Sequence, residues 1–156
     1  MNLIDLVWDL FRRRKRPPAP PPQPPDPGPP DVGPGLVRLL ELINALRLAR
    51  GMAALRQNDA LGRAAQAHAG WMAAHRTMTH VGEGDHTYRA QRAGYWGPVG
   101  ENVAAGQRTP AEVYSSWVNS PGHRKIMLDD YVDAGVGQAV GADGLWYWCL
   151  VVGRPN

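Results

Sequence analysis

The sequence predicts an α+β domain in which helices cover both faces of a mainly antiparallel sheet. Two observations predict this class: leucines and alanines recur at helical spacing between residues 36 and 75, and two alternating apolar runs end the chain. These runs, 132–140 and 145–152, are joined around Asp143-Gly144, a pair typical of hairpin turns. Both faces of the last run are apolar, as expected of a strand with helices on either side.

Composition and charge limit the classes of function. The chain has 156 residues, about one domain, and a net charge of +3. Residues 36–156 hold 12 basic against 10 acidic side chains, which is too even for a nucleic-acid surface, so we expect no nucleic-acid partner. The single cysteine, Cys149, cannot form an internal disulfide and lies in an apolar run typical of a buried strand.

The first segment, residues 1–16 (MNLIDLVWDLFRRRKR), is predicted to be a short amphipathic helix with a basic end. It is too short and too acidic to span a bilayer, and its positive charges follow the apolar stretch, whereas a signal peptide has them first. Three interpretations remain open: a solvated tail, a docking peptide for another protein, and an anchor at a membrane surface.

A proline-rich segment, residues 17–35, separates this helix from the rest of the chain. Such a composition cannot form a core and favours an extended, semi-rigid spacer. The predicted organisation is therefore a helix at 1–16, a linker at 17–35 and a folded domain at 36–156.

Capping residues mark the helices of this domain. We predict helices at about 36–50, ending at Gly51, and at 59–75, capped by Asn58 or Asp59. A short helix is expected at 87–94, and Thr109-Pro110 and Ser120-Pro121 each predict a helix that begins with a capping hydroxyl and a proline. His68 and His75, seven apart on the second helix, are interpreted as residues hydrogen-bonded at the edge of the core, with a metal site as the alternative.

Three polar residues on separate segments form the candidate site: His80, Glu101 and His123. Glu101 lies in Gly100-Glu101-Asn102, predicted to be a loop in which the Asn102 amide suits a turn. His123 lies in the first turn after Ser120-Pro121, where the positive end of a helix favours a neutral imidazole. A nucleophilic Ser120 activated by His123 is disfavoured, because its hydroxyl is expected to cap that helix.

The order of these motifs resembles the CAP superfamily, also called the SCP domain (cysteine-rich secretory protein, antigen 5, pathogenesis-related 1), in its compact bacterial form. The resemblance implies a three-layer α/β/α sandwich with a central, mainly antiparallel sheet and a cleft that collects His80, Glu101 and His123. Ser120 stands where animal members carry a second glutamate. The motifs that carry the resemblance are Leu42 to Arg47, Ala64 to Met72, His80, Gly100 to Ala104, Ser115 to Arg124 and Gly135 to Gly137.

Two neutral imidazoles and one carboxylate are ligands that suit zinc or another divalent metal. We therefore expect first a CAP-type binding domain for a lipid, peptide or glycan ligand, with metal bound by His80, Glu101 and His123. The first alternative is a metal-assisted hydrolase of peptide or cell-wall bonds, with the same three residues as the catalytic groups.

A second alternative is a structural or interaction component of an envelope complex or viral particle, docked through residues 1–16. The resemblance implies an extracellular or cell-envelope location, although no recognisable signal peptide precedes the domain.

Overall fold

The computed structural model describes residues 34–156, so the predicted helix at 1–16 and nearly all of the predicted linker lie outside the described residues. The described part forms, in order, α1 (Pro34–Leu48), β1 (Arg56–Gln57), α2 (Asp59–His75), α3 (His86–Arg92), β2 (Val99–Ala105), α4 (Pro110–Asn119), α5 (Pro121–Met127), β3 (Asp133–Val140) and β4 (Trp146–Gly153). None of the helices in this part combines the length and apolar character needed to cross a membrane.

The four strands form one sheet with the order β1-β3-β4-β2. β3 and β4 are the predicted hairpin and pair antiparallel, with Gly137 opposite Cys149. β2 pairs antiparallel with β4, and the two-residue β1 pairs parallel with β3. β2 is therefore an edge strand of the described sheet, and the mainly antiparallel sheet is as predicted.

Each face of the sheet has its own apolar core. Leu39 and Ile43 of α1 pack with Trp117 of α4 against one face, to which β4 contributes Trp148 and Leu150. On the other face, α2 and α3 pack over the side chains that alternate with these along β4, Tyr147, Cys149 and Val151. The fold is the expected three-layer α/β/α sandwich.

Local capping explains where the main helices begin. Asn58 caps α2 by accepting a hydrogen bond from the Leu61 amide, and Thr109 caps α4 by accepting from the Glu112 amide. Both caps agree with the sequence analysis. Ser120 differs: α5 begins after it, but its side chain makes no capping hydrogen bond, so that detail of the prediction is wrong.

A second correction concerns the predicted loop at Gly100-Glu101-Asn102. These residues lie in the middle of β2, and Asn102 is buried in a strand where a turn residue was expected. Because side chains alternate along a strand, neighbouring residues of β2 face opposite sides of the sheet. Gly100 lies against Tyr131, and Asn102 points to the same face. Glu101 points to the face covered by α2 and α3.

Two glycines of β3 allow α2 to lie directly on the sheet. A Cβ added to Gly135 would lie 2.1 Å from the Gly62 nitrogen, and one added to Gly137 would lie 2.3 Å from the Gln66 nitrogen. The Gln66 side chain also donates to the Gln138 carbonyl and accepts from the Gln138 amide, which satisfies backbone groups of β3 beyond the short β1. The close packing of α2 on β3 thus requires glycine at positions 135 and 137.

We expect Gly137→Ala to lower the free energy of unfolding by about 2 kcal/mol or more, because the methyl group overlaps the backbone of α2. The matched control is Gly70→Ala within α2, where an added Cβ meets nothing within 4 Å. That change should stabilise by about 0.5–1 kcal/mol, since alanine favours the helix. Urea unfolding measures both, and equal effects of the two variants would contradict the close packing of α2 on β3.

Candidate functional site

The candidate site is built around Glu101, a carboxylate on β2 that is almost completely buried. Its side chain is 1% exposed. Oε1 lies 3.0 Å from His80 Nδ1 and 4.0 Å from His68 Nε2, and Oε2 lies 2.5 Å from an Arg89 guanidinium nitrogen and 3.5 Å from Cys149 Sγ. Both carboxylate oxygens are therefore engaged by the protein, as a buried charge requires.

Arg89 of α3 is the counter-ion of Glu101 and also organises the loop between α2 and α3. Its guanidinium donates to the carbonyls of Gly84 and His80 as well as to the carboxylate. Gly84 has a positive φ of 86°, a conformation that glycine adopts without strain. The ion pair thus fixes the backbone that carries His80.

His80 lies on this loop, and its side chain is 55% exposed. Nδ1 donates to Glu101, so the buried carboxylate orients the exposed imidazole. This arrangement leaves Nε2 as the ring atom for an external ligand. The expected association of His80 with Glu101 is present.

His68 differs from its predicted position at the edge of the core, because it is fully buried on α2. Since the Thr79 carbonyl only accepts, His68 Nε2, 2.8 Å away, carries the proton. Burial lowers the pKa of His68 from its ordinary value of 6.5, although the Thr79 hydrogen bond acts in the opposite direction. His75 is exposed, and the Trp71 ring stacks with both imidazoles, so His68 and His75 do not form a shared site.

His123 belongs to α5, which packs against the other side of β2 from Glu101. Asn102 donates to the His123 carbonyl at 2.9 Å, which fixes the first turn of α5 against the edge strand. The ring is half-buried beside Trp117, with 6.4 Å between ring centroids. Burial, followed by the charge of His80, lowers the pKa of His123, so its neutral form is favoured.

Two residues of this site were not predicted from the sequence: Arg89, and His68 as a partner of Glu101. Arg89 lies in the helix predicted at 87–94, but nothing in the sequence marks it as a partner of Glu101. Cys149 is buried as expected, and burial together with the neighbouring Glu101 raises the pKa of its thiol. Within residues 34–156, no three His, Cys, Asp or Glu side chains are grouped so that they could hold a metal ion together.

Fold and site together define a small α/β/α domain whose polar cluster lies at the edge strand of its sheet. Residues 40–152 match the cysteine-rich secretory protein family, CAP, and the chain belongs to this family. The uncharacterized protein YkwD of Bacillus subtilis (strain 168) is 32% identical over 123 residues, which cover 70% of this chain and 44% of that protein. The chain thus spans less than half the length of this relative.

Solved structures with the same fold include bacterial surface and extracellular proteins. An outer surface protein from Borrelia burgdorferi has a TM-score of 0.75 and 22% identity, covering 81% of this chain and 96% of its own. An extracellular SCP-domain protein from Bacillus anthracis str. Ames has a TM-score of 0.68 and 24% identity, covering 76% of this chain and 39% of its own. At these identities the likeness establishes the fold alone.

We expect Glu101→Gln to lower the free energy of unfolding by about 3–5 kcal/mol, because it leaves the Arg89 guanidinium buried without its counter-ion. Glu83→Gln, which removes an exposed partner of Arg92, is the matched control and should cost less than about 1 kcal/mol. Chemical denaturation at neutral pH measures both. A loss for Glu101→Gln no larger than the control would show that Glu101 is not the buried partner described above.

A second prediction concerns the pH dependence of stability. The pKa of His68 is lowered in the folded state, so below the ordinary value of 6.5 the unfolded chain binds more protons than the folded chain. The free energy of unfolding should therefore fall as pH falls from about 7 to about 5. His68→Gln should reduce this slope, whereas His75→Gln at an exposed position should not. An unchanged slope in His68→Gln would contradict a buried, neutral His68.

Proposed function

We propose that this domain is a CAP-type binding module, and that its ligand is held at the edge of β2 by the exposed His80 and the half-buried His123. The observation that carries this proposal is the burial of Glu101, both of whose oxygens are engaged within the protein. A carboxylate held in this way orients His80 and supports the loop, and it does not face a ligand.

The same observation argues against the metal-assisted hydrolase. A general base must lie within hydrogen-bond reach of the proton that it removes, and Glu101 is the carboxylate that the resemblance assigns to the cleft. By the resemblance, Ser120 stands at the position of a second glutamate, so the cluster offers no replacement carboxylate. Binding without turnover is therefore the function that the geometry supports best.

A divalent metal fits this site only in part. His80 Nε2 and a neutral His123 are suitable ligands, and Glu101 behind His80 matches the outer carboxylate that commonly orients a metal-bound imidazole. With two protein ligands, water or the ligand itself has to complete the coordination of the metal. A bound zinc ion would supply Lewis acidity and open coordination positions, while the protein residues orient the imidazoles.

We further propose that the domain works outside the cytoplasm or at the cell surface. The support comes from the relatives with the same fold, of which one is described as an outer surface protein and another as an extracellular protein. Lipid, peptide and glycan ligands, which such surroundings offer, remain the candidate partners of the His80 and His123 edge.

Calorimetric titration of the full chain with zinc tests the role of the two histidines. We expect weak binding that is lost when His80→Ala and His123→Ala are combined, because residues 34–156 offer no other group of ligands that could retain the metal. His75→Ala, an exposed histidine on α2, is the matched control and should bind zinc as the unchanged protein does.

The outcomes separate the alternatives. Zinc binding that survives the double substitution would place the metal elsewhere and overturn its proposed site. Incubation of the zinc-loaded protein with a panel of peptides and cell-wall glycans should produce no cleavage, and turnover that is lost in the double variant would establish the hydrolase in place of the binding module.

A further inference from the structure

A second concave surface lies between α2 and α3. It is an open cleft of about 320 Å³, a size at the lower end of small-ligand pockets. Its walls are mostly apolar and include Ala64, Ala67, Ala93 and the ring of Trp71. Neither His80 nor His123 lines this cleft, although it shares His68 and Arg89 with the cluster around Glu101.

The cleft is held in shape by packing around Trp71. The His75 ring stacks on the indole with centroids 4.0 Å apart. Gly82 comes so close that an added Cβ would lie 2.9 Å from Trp71 Cε3. A wall fixed in this way needs little ordering when a ligand binds, and a pre-formed pocket lowers the entropic cost of association.

Charge at the cleft is positive. Three arginines and one glutamate line it: Arg63, Arg89, Arg92 and Glu83. The charge of Arg89 is compensated by the buried Glu101 carboxylate. Arg92 forms an exposed ion pair with Glu83 at 3.6 Å. Arg63 donates to the Ala93 carbonyl at 3.0 Å and has no carboxylate partner among residues 34–156. One positive charge thus remains uncompensated beside an apolar pocket.

Two buried nitrogen atoms in the lining residues also lack partners among the described residues: Arg89 Nε and His68 Nδ1. Arg89 Nε is a donor without an acceptor. His68 Nδ1 is an acceptor in the neutral tautomer, because Nε2 donates to Thr79. Buried polar atoms are rarely left unsatisfied, and a ligand or ordered water in the cleft is the usual explanation.

We propose that the cleft between α2 and α3 binds a small anionic ligand with an apolar body, such as an aromatic carboxylate or sulfonate. The apolar body packs against the alanines and the edge of Trp71, and the anionic group pairs with Arg63 at the rim. The proposal does not depend on the His80 and His123 edge, although His68 and Arg89 belong to both regions.

Fluorescence titration of the full chain with anilinonaphthalenesulfonate tests this proposal, since the probe combines an aromatic body with a fixed negative charge. Ala67→Phe, at an exposed position of α2, should fill the cleft and weaken binding by about tenfold or more. Arg63→Gln should weaken binding by about fivefold, and Arg63→Lys should retain most of it, because the charge is kept.

Two controls make the result specific. Arg38→Gln removes an exposed arginine on α1, across the sheet from the cleft, and should leave the titration unchanged. Phenylnaphthylamine, a comparable aromatic body without the sulfonate, should respond to Ala67→Phe and be insensitive to Arg63→Gln.

An unchanged titration of the sulfonate probe in Ala67→Phe would place the probe elsewhere and overturn the proposal. If Arg63→Gln and Arg38→Gln changed the affinity for the sulfonate probe equally, the proposed pairing of Arg63 with the anionic group would be overturned. Zinc titration of Arg63→Gln should match that of the unchanged protein, so failure at the cleft and failure at the histidine edge give different results.

Discussion

The ion pair between Glu101 and Arg89 is the interaction on which the rest of the site depends. A carboxylate inside a strand, 1% exposed, is compatible with folding only if a cation compensates it, and α3 supplies that cation. The same guanidinium also donates to the carbonyls of Gly84 and His80. Arg89 therefore both compensates the buried Glu101 charge and positions the loop that carries His80. His80 is thus oriented by a network whose primary role is structural.

Close packing of α2 on β3 makes this network possible. Gly135 and Gly137 remove the side chains that would hold the helix away, and His68 consequently lies deep enough to come within 4.0 Å of Glu101. On the opposite face, Asn102 holds α5 against the edge strand. Consecutive residues of β2 therefore connect His80 to one layer of the sandwich and the backbone of His123 to the other.

Sequence reasoning predicted the elements whose signals are local. The caps Asn58 and Thr109 and the turn at Asp143-Gly144 identified helices and the hairpin, because such residues satisfy backbone groups within a few positions. The strand β2 was taken for a loop, since glycine, glutamate and asparagine disfavour strands and are retained here by long-range partners. The resemblance identified His80 and Glu101. Arg89 could not be predicted, because no local sequence signal indicates that a residue of α3 pairs with the Glu101 carboxylate on β2.

The position of Ser120 has an electrostatic consequence for this member of the family. Arg89 compensates the charge of Glu101, so these two groups add no net charge to the edge near His80 and His123. A second carboxylate would have made it negative and would have attracted a divalent cation through Coulomb interaction at short range. Without it, a metal would depend on imidazole coordination alone, and a neutral or anionic ligand would meet no repulsion from a second carboxylate. The lack of a second carboxylate therefore disfavours metal-assisted hydrolysis and is compatible with the binding module proposed for this edge.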